Sequence, residues 1–210
     1  MNLLIDKLPD TVNVGDAVYP IRTDFRISVM FELLMQDEEL SSIEKLEQAV
    51  RLYYPHIPMD IPEAVKSMLW FYRCGEEDKQ SVEKEKSADE EDAEEDVEED
   101  PALQRIYSFE HDADYIFAAF MQQYGIDLTI VDLHWWKFRA LFKSLNDNCE
   151  FVKIMGYRSV KTTSKMSKEQ RAFYTKMKSL HALPLPKTEQ EQLDKITYAL
   201  MHGGDLRGLV

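Results

Sequence analysis

The sequence predicts a mainly α protein, a helical bundle with a small N-terminal β-hairpin and a long disordered acidic loop. Three observations carry that expectation. Apolar residues recur at i, i+3, i+4 and i+7 through most segments outside residues 76–101. Capping residues and glycines bracket those segments. One short valine-rich stretch near the start folds around Gly15-Asp16, a pair suited to a tight turn with positive φ at the glycine.

The elements follow in order. "TVNV" and "AVYPI" are the two strands of the hairpin. Thr23 or Asp24 then stands ready to cap a helix whose stripe is Ile27, Met30, Phe31 and Leu34. Ser41 and Glu44 form a capping box ahead of Ile43, Leu46 and Val50. Pro62 suits the first turn of a third helix, in which Val65, Met68, Leu69 and Tyr72 supply the stripe and Gly75 ends it. Beyond the acidic stretch a helix starts near Asp112 and runs through "ADYIFAAFMQQYG", with Gly125 at C′ and Ile126 placed to close a Schellman motif. The next helix starts near Asp132, a shorter one covers Glu150 to Tyr157, and another runs from Ser167 to His181 through Phe173, Met177 and Leu180. Thr188 and Glu191 make a further capping box before Leu193, Ile196 and Leu200. The expected organisation is therefore 1–75 (hairpin and first helices), 76–101 (acidic linker), 102–202 (a helical part packing with 1–75 as one domain) and 203–210 (a flexible tail).

The net charge of −14 is unevenly placed. Residues 76–100 hold 15 acids and 3 bases, whereas Lys153 to Lys178 holds 8 bases against the single acid Glu169. Like charges with little to bury predict a disordered, solubilising tract, and a flexible tract is a poor mimic of regularly spaced phosphates. No apolar run reaches the 18 residues that suggest a membrane span. The opening "MNLLIDKLPDTVNVGD" meets acids and proline at once, unlike a secretory signal. Cys74 and Cys149 are far apart and form no CxxC pair, so reduced thiols in a cytosolic protein are expected.

Chemistry-bearing patterns are few. "EHDAD" (110–114) brings histidine and carboxylates together, but on a helix Asp112 and Asp114 point about 160° apart. Acids in a first turn cap free N–H groups and offset the helix dipole, which favours capping over metal binding. The chain has no GxSxG, GxxxxGK[ST], GxGxxG or HExxH motif, and its five histidines are scattered. No catalytic, cofactor or metal residue is assigned, and a non-enzyme is expected. Tyr157, Phe173 and Tyr174 lie among the bases of 153–178, as in nucleic-acid platforms, yet a solvated basic face is the plainer reading.

"DLHWWKFRALF" (132–142) is the densest stretch. On a wheel at about 100° per residue, Trp135, His134, Phe138, Leu141, Phe142 and Leu145 share a broad apolar arc. Asp132, Arg139 and Lys143 form a charged stripe, and Leu133, Trp136 and Ala140 a second, narrower seam beyond it. A helix with two apolar faces is either central in a bundle or offered to a partner on one side. Leu133, Trp136, Arg139 and Ala140 are therefore candidate partner-binding residues, with Tyr157 and Arg158 beside them; Trp and Arg are enriched in interface hot spots.

"DADYIFAAFMQQYGIDL", "LHWWKFRALFKSL" and "IMGYRSV" closely resemble the bacteriophage gene-product-fifteen family, encoded among the tail genes of siphophages and prophages. "RISVMFELLMQDEEL" and "LWFYRCG" resemble it too, so the likeness covers nearly the whole chain. That resemblance implies a gene next to the one for the tail tape measure protein and a role as a tail assembly chaperone in the bacterial host cytoplasm. The implied partners are the tape measure protein, the tail tube protein and the upstream-encoded tail chaperone. A minor structural tail protein and a nucleic-acid-binding protein are the alternatives.

Overall fold

A computed structural model describes residues 2–76, 106–163 and 166–184. The acidic tract from residue 77, the helix expected after Thr188 and the expected tail at 203–210 lie outside the described residues.

The chain is mainly helical. Strands β1 (Thr11–Val14) and β2 (Ala17–Pro20) pair antiparallel with Val14 opposite Ala17, and Gly15 takes φ +59° in the turn. β1 buries Val12 and Val14 and exposes Thr11 and Asn13, the period-2 alternation of a half-buried strand. Seven helices follow among the described residues: α1 (Phe25–Gln36), α2 (Ser42–Tyr53), α3 (Ile61–Tyr72), α4 (Ala113–Tyr124), α5 (Trp135–Lys143), α6 (Glu150–Ser159) and α7 (Lys168–Leu180).

Their starts follow local chemistry. Asp24 accepts from the Arg26 N–H, and Ser41 and Ser167 form reciprocal capping boxes with Glu44 and Gln170. Pro62 occupies the first turn of α3. α4 ends on Gly125 at φ +65° as expected, but its N–H reaches the Met121 carbonyl (3.0 Å), the bond of the simpler αL cap, and the Ile126 N–H reaches Phe120 (3.4 Å) in place of the Schellman bond to Met121.

The buried faces are rotated from the expected stripes. α1 buries Phe25, Ser28 and Phe31, and Met30 is exposed. α2 buries Ala49, Val50 and Tyr53, leaving Ile43 71% and Leu46 43% exposed. α3 buries Ala64, Met68 and Phe71. Two tyrosines at the end of α2 explain the small residues inside. Tyr53 and Tyr54 are fully buried, and their hydroxyls need partners: Tyr53 donates to Ser28 Oγ (2.8 Å) and Tyr54 to the Ala64 carbonyl (2.8 Å).

One core joins the residues on both sides of the acidic tract. Phe138 is its centre, stacked on Phe25 (4.6 Å between centroids), Phe120 (5.0 Å) and Trp135 (5.7 Å). Trp135 in turn stacks on Tyr72 (5.6 Å) of α3. α1 and α5 start side by side, with Phe25 N–H donating to the Leu133 carbonyl (2.9 Å) and Trp135 N–H to that of Thr23 (2.7 Å).

Candidate functional site

Helix α5 carries the dense stretch and divides it differently from the helical wheel. The helix begins at Trp135, so His134 is its N-cap instead of a member of the core arc. His134 Nδ1 accepts from the Trp136 N–H (3.1 Å), which leaves Nε2 protonated to donate to the Pro9 carbonyl (3.0 Å). Burial lowers the pKa of the imidazole, and Lys137 pushes the same way against the pull of the Pro9 carbonyl and Asp10. The histidine thus ties the N-terminal segment to the start of α5 in its neutral form.

The two tryptophans and the arginine finish α3. Its last carbonyls lack the i+4 partner of the helix interior, and the Cys74 N–H of the closing turn reaches Phe71 O (3.0 Å). Trp136 Nε1 donates to Phe71 O (2.8 Å), Trp135 Nε1 to Tyr72 O (2.8 Å) and Arg139 Nη1 to Tyr72 O (3.2 Å). The chain then turns away through Cys74 and Gly75, both at positive φ (60° and 77°). A Cβ on Gly75 would lie 3.2 Å from Trp136 Cη2, so glycine also makes room for the indole. Burial raises the pKa of the half-buried Cys74 thiol, while Arg139 beside it pulls the other way. The expectation that Trp136 faces a partner is therefore corrected. It is 3% exposed and packs edge-on against Trp70 (5.7 Å) within the chain's own fold.

Arg158 is corrected in the same sense. Its guanidinium makes a two-point contact with Asp112 (2.6 and 2.8 Å), and the side chains are only 10% and 1% exposed. It also donates to the carbonyls of Ile106 (3.1 Å) and His181 (2.6 Å). Asp112 stands at the N-cap of α4 without capping it; its carboxylate takes the Ser108 N–H (2.9 Å) and Arg158 instead. Tyr157 is half-buried, stacked on His181 (5.8 Å) and edge-on to Phe173 (6.1 Å). Of the three aromatics set among the bases, only Phe173 is exposed, so the stacking platform of a nucleic-acid site is reduced to one ring.

Leu133 and Ala140 of the second seam do reach a surface feature. They line a groove of about 660 Å³ between the N-terminal segment and α5. Its apolar lining is Leu3, Leu8, Leu133, Ala140 and Leu141. Its polar groups are Asp6, Lys7, Asp10, His134 and Lys137. The volume is in the range of ligand and peptide pockets. Lys7 pairs with Asp10 (2.9 Å), and the Asp6 carboxylate accepts from the Asn2 N–H (2.7 Å). Sequence reasoning missed this groove because its second wall is an irregular segment with no periodicity to read.

No group of three or more His, Cys, Asp or Glu converges as a metal site among the described residues. No helix among them is long and apolar enough to cross a membrane. Neither a curated protein nor a solved structure matches the chain. The family model described as Bacteriophage Gp15 protein matches residues 4–183, a span that holds the hairpin, all seven described helices and most of the groove. The chain belongs to the bacteriophage Gp15 protein family.

Proposed function

We propose that this phage protein is a non-enzymatic tail assembly chaperone, acting in the host cytoplasm, that holds the tape measure protein through the α5 groove. The tail tube protein and the upstream-encoded tail chaperone are further partners of this reading. The observation that carries it is an aliphatic groove on the helix that bears the family-like motif, lined by Leu133, Ala140 and Leu141. A chaperone needs apolar surface to mask its client and surrounding charge to stay soluble. Family membership supplies the phage context, and the resemblance supplies the tail-gene setting.

Co-expression tests the reading. A tape measure fragment that precipitates alone should stay soluble beside the full chain and co-purify with it. Ala140→Glu, which puts a carboxylate at a half-buried groove position, should return the fragment to the pellet while leaving the chaperone folded. Purified virions should lack the protein by mass spectrometry; its presence there at stoichiometric level would favour a structural tail subunit. Absence of any co-purification, across salt and pH, would sink the chaperone reading.

A further inference from the structure

We infer that the α5 groove takes an amphipathic helix whose apolar stripe carries a carboxylate, seated against Lys137. The inference rests on the proposed function only for which protein supplies that helix; its chemistry comes from the groove. Lys137, Ala140 and Leu141 follow the i, i+3, i+4 spacing of one face of α5, Leu133 lies just before the N-cap, and all four line the groove. Leu3 and Leu8 complete an apolar trough along that face. Such a trough accepts a second helix by its own i, i+3, i+4, i+7 stripe, and the small Ala140 side chain allows close approach.

Charge selects among such helices. On the N-terminal wall Asp10 pairs with Lys7 and the Asp6 carboxylate accepts from the Asn2 N–H, while Lys137 is the charged residue of the α5 wall. Both ring nitrogens of His134 are used within the chain. Lys137 is exposed and forms no ion pair among the described residues. It shares the α5 wall of the groove with Ala140 and Leu141, so an apolar occupant would cover its stem and strip water from its ammonium. An unpaired buried charge is costly, whereas a facing carboxylate restores the lost interaction and a facing cation repels.

Binding of three synthetic helical peptides to the full chain, read by fluorescence anisotropy, tests this. The peptides share one leucine stripe and differ at its central position, which is Glu, Gln or Lys. The Glu peptide should bind tightest, about 3- to 10-fold above the Lys peptide. Lys137→Glu should invert that order. Ala140→Trp, which fills the trough, should abolish binding of all three with an unchanged circular dichroism spectrum. Failure of every peptide to bind, or the same order with Lys137→Glu as with the natural chain, would overturn the inference. A concentration-dependent dimer dissolved by Ala140→Trp would overturn it in favour of a second copy as occupant. Overlapping peptides of the tape measure protein form the second arm. If the designed peptides bind in the expected order and no tape measure peptide does, the groove chemistry stands and the tail assembly reading falls.

Discussion

Trp136 is the residue whose role changes most once the fold is formed. Its indole N–H serves a carbonyl of α3 and its ring fills space beside Trp70 and Gly75. Trp136→Phe keeps most of the ring packing and removes its donor to the Phe71 carbonyl, which keeps the Cys74 N–H (3.0 Å), so it should cost about 0.5–1.5 kcal/mol of stability. Trp136→Ala should cost about 3–5 kcal/mol. Urea titrations would read both as lower midpoints; a free energy unchanged by Trp136→Phe would show that the carbonyl bond is dispensable. His134 makes a second prediction. Its folded pKa lies below the ordinary value of 6.5, chiefly through burial. The unfolded chain therefore takes up a proton first as pH falls. The stabilisation is complete above about pH 6.5 and is lost as pH drops through the lower folded pKa. Glu32 acts in the opposite sense, because burial raises its carboxyl pKa above 4.5 while Tyr72 donates to it at 2.7 Å. The histidine term is isolated by comparing the natural chain with His134→Asn, which keeps a capping side chain. The difference in their stabilities should shrink between pH 7.5 and 5.5, and a constant difference would refute the assignment. None of these partners was legible locally, since Phe71, Tyr72 and Pro9 are distant in sequence.

At the scale of elements, the starts of the helices are written locally and the ends are finished from afar. Asp24, Ser41 and Ser167 cap within their own next turn, which is why they were legible. By contrast, Arg22 serves the carbonyls of Arg51 and Leu52 at the end of α2, and Tyr124 that of Leu141 in α5. Lys178 of α7 reaches Val160 just past α6. Arg158 gathers the approach to α4, the end of α7 and the Asp112 carboxylate at one point on α6. Arg158→Met should strand the buried Asp112 carboxylate at a cost of about 3–5 kcal/mol. Adding Asp112→Leu should recover much of that loss, because removing both charges also removes the desolvation penalty. Equal and additive effects of the two changes in a double-mutant cycle would contradict the pairing. The helix faces show the same division. Period 3.6 located every described helix, yet it put Ile43 and Leu46 inside and passed over Ser28 and Ala64. Which face turns inward depends on the neighbour, and here the neighbours are the two tyrosines ending α2.

For the whole molecule, length, periodicity and caps were enough to specify a mainly helical protein with a hairpin at its start, because these signals act within one or two turns of the chain. The family was legible as well, from long motifs in residues 110–160 and from "RISVMFELLMQDEEL" before them. The acidic tract could be located and counted, since composition needs no geometry. What the linear chain did not contain was the division of "DLHWWKFRALF" between structure and surface. A wheel treats the helix as isolated and starts it at Asp132, whereas pairing with the start of α1 begins it at Trp135 and makes His134 a cap. Trp135, Trp136 and Arg139 then find the last carbonyls of α3, groups that have no partner in a following helical turn because α3 ends there. The groove exists only because a segment without periodicity folds back along α5 and is held by His134. Local chemistry, acting between residues a few positions apart, determined the elements. Hydrogen-bond satisfaction and packing between distant residues, which arise only when the chain closes on itself, decided that Trp136 is core and that Lys137 and Ala140 line a groove at the surface.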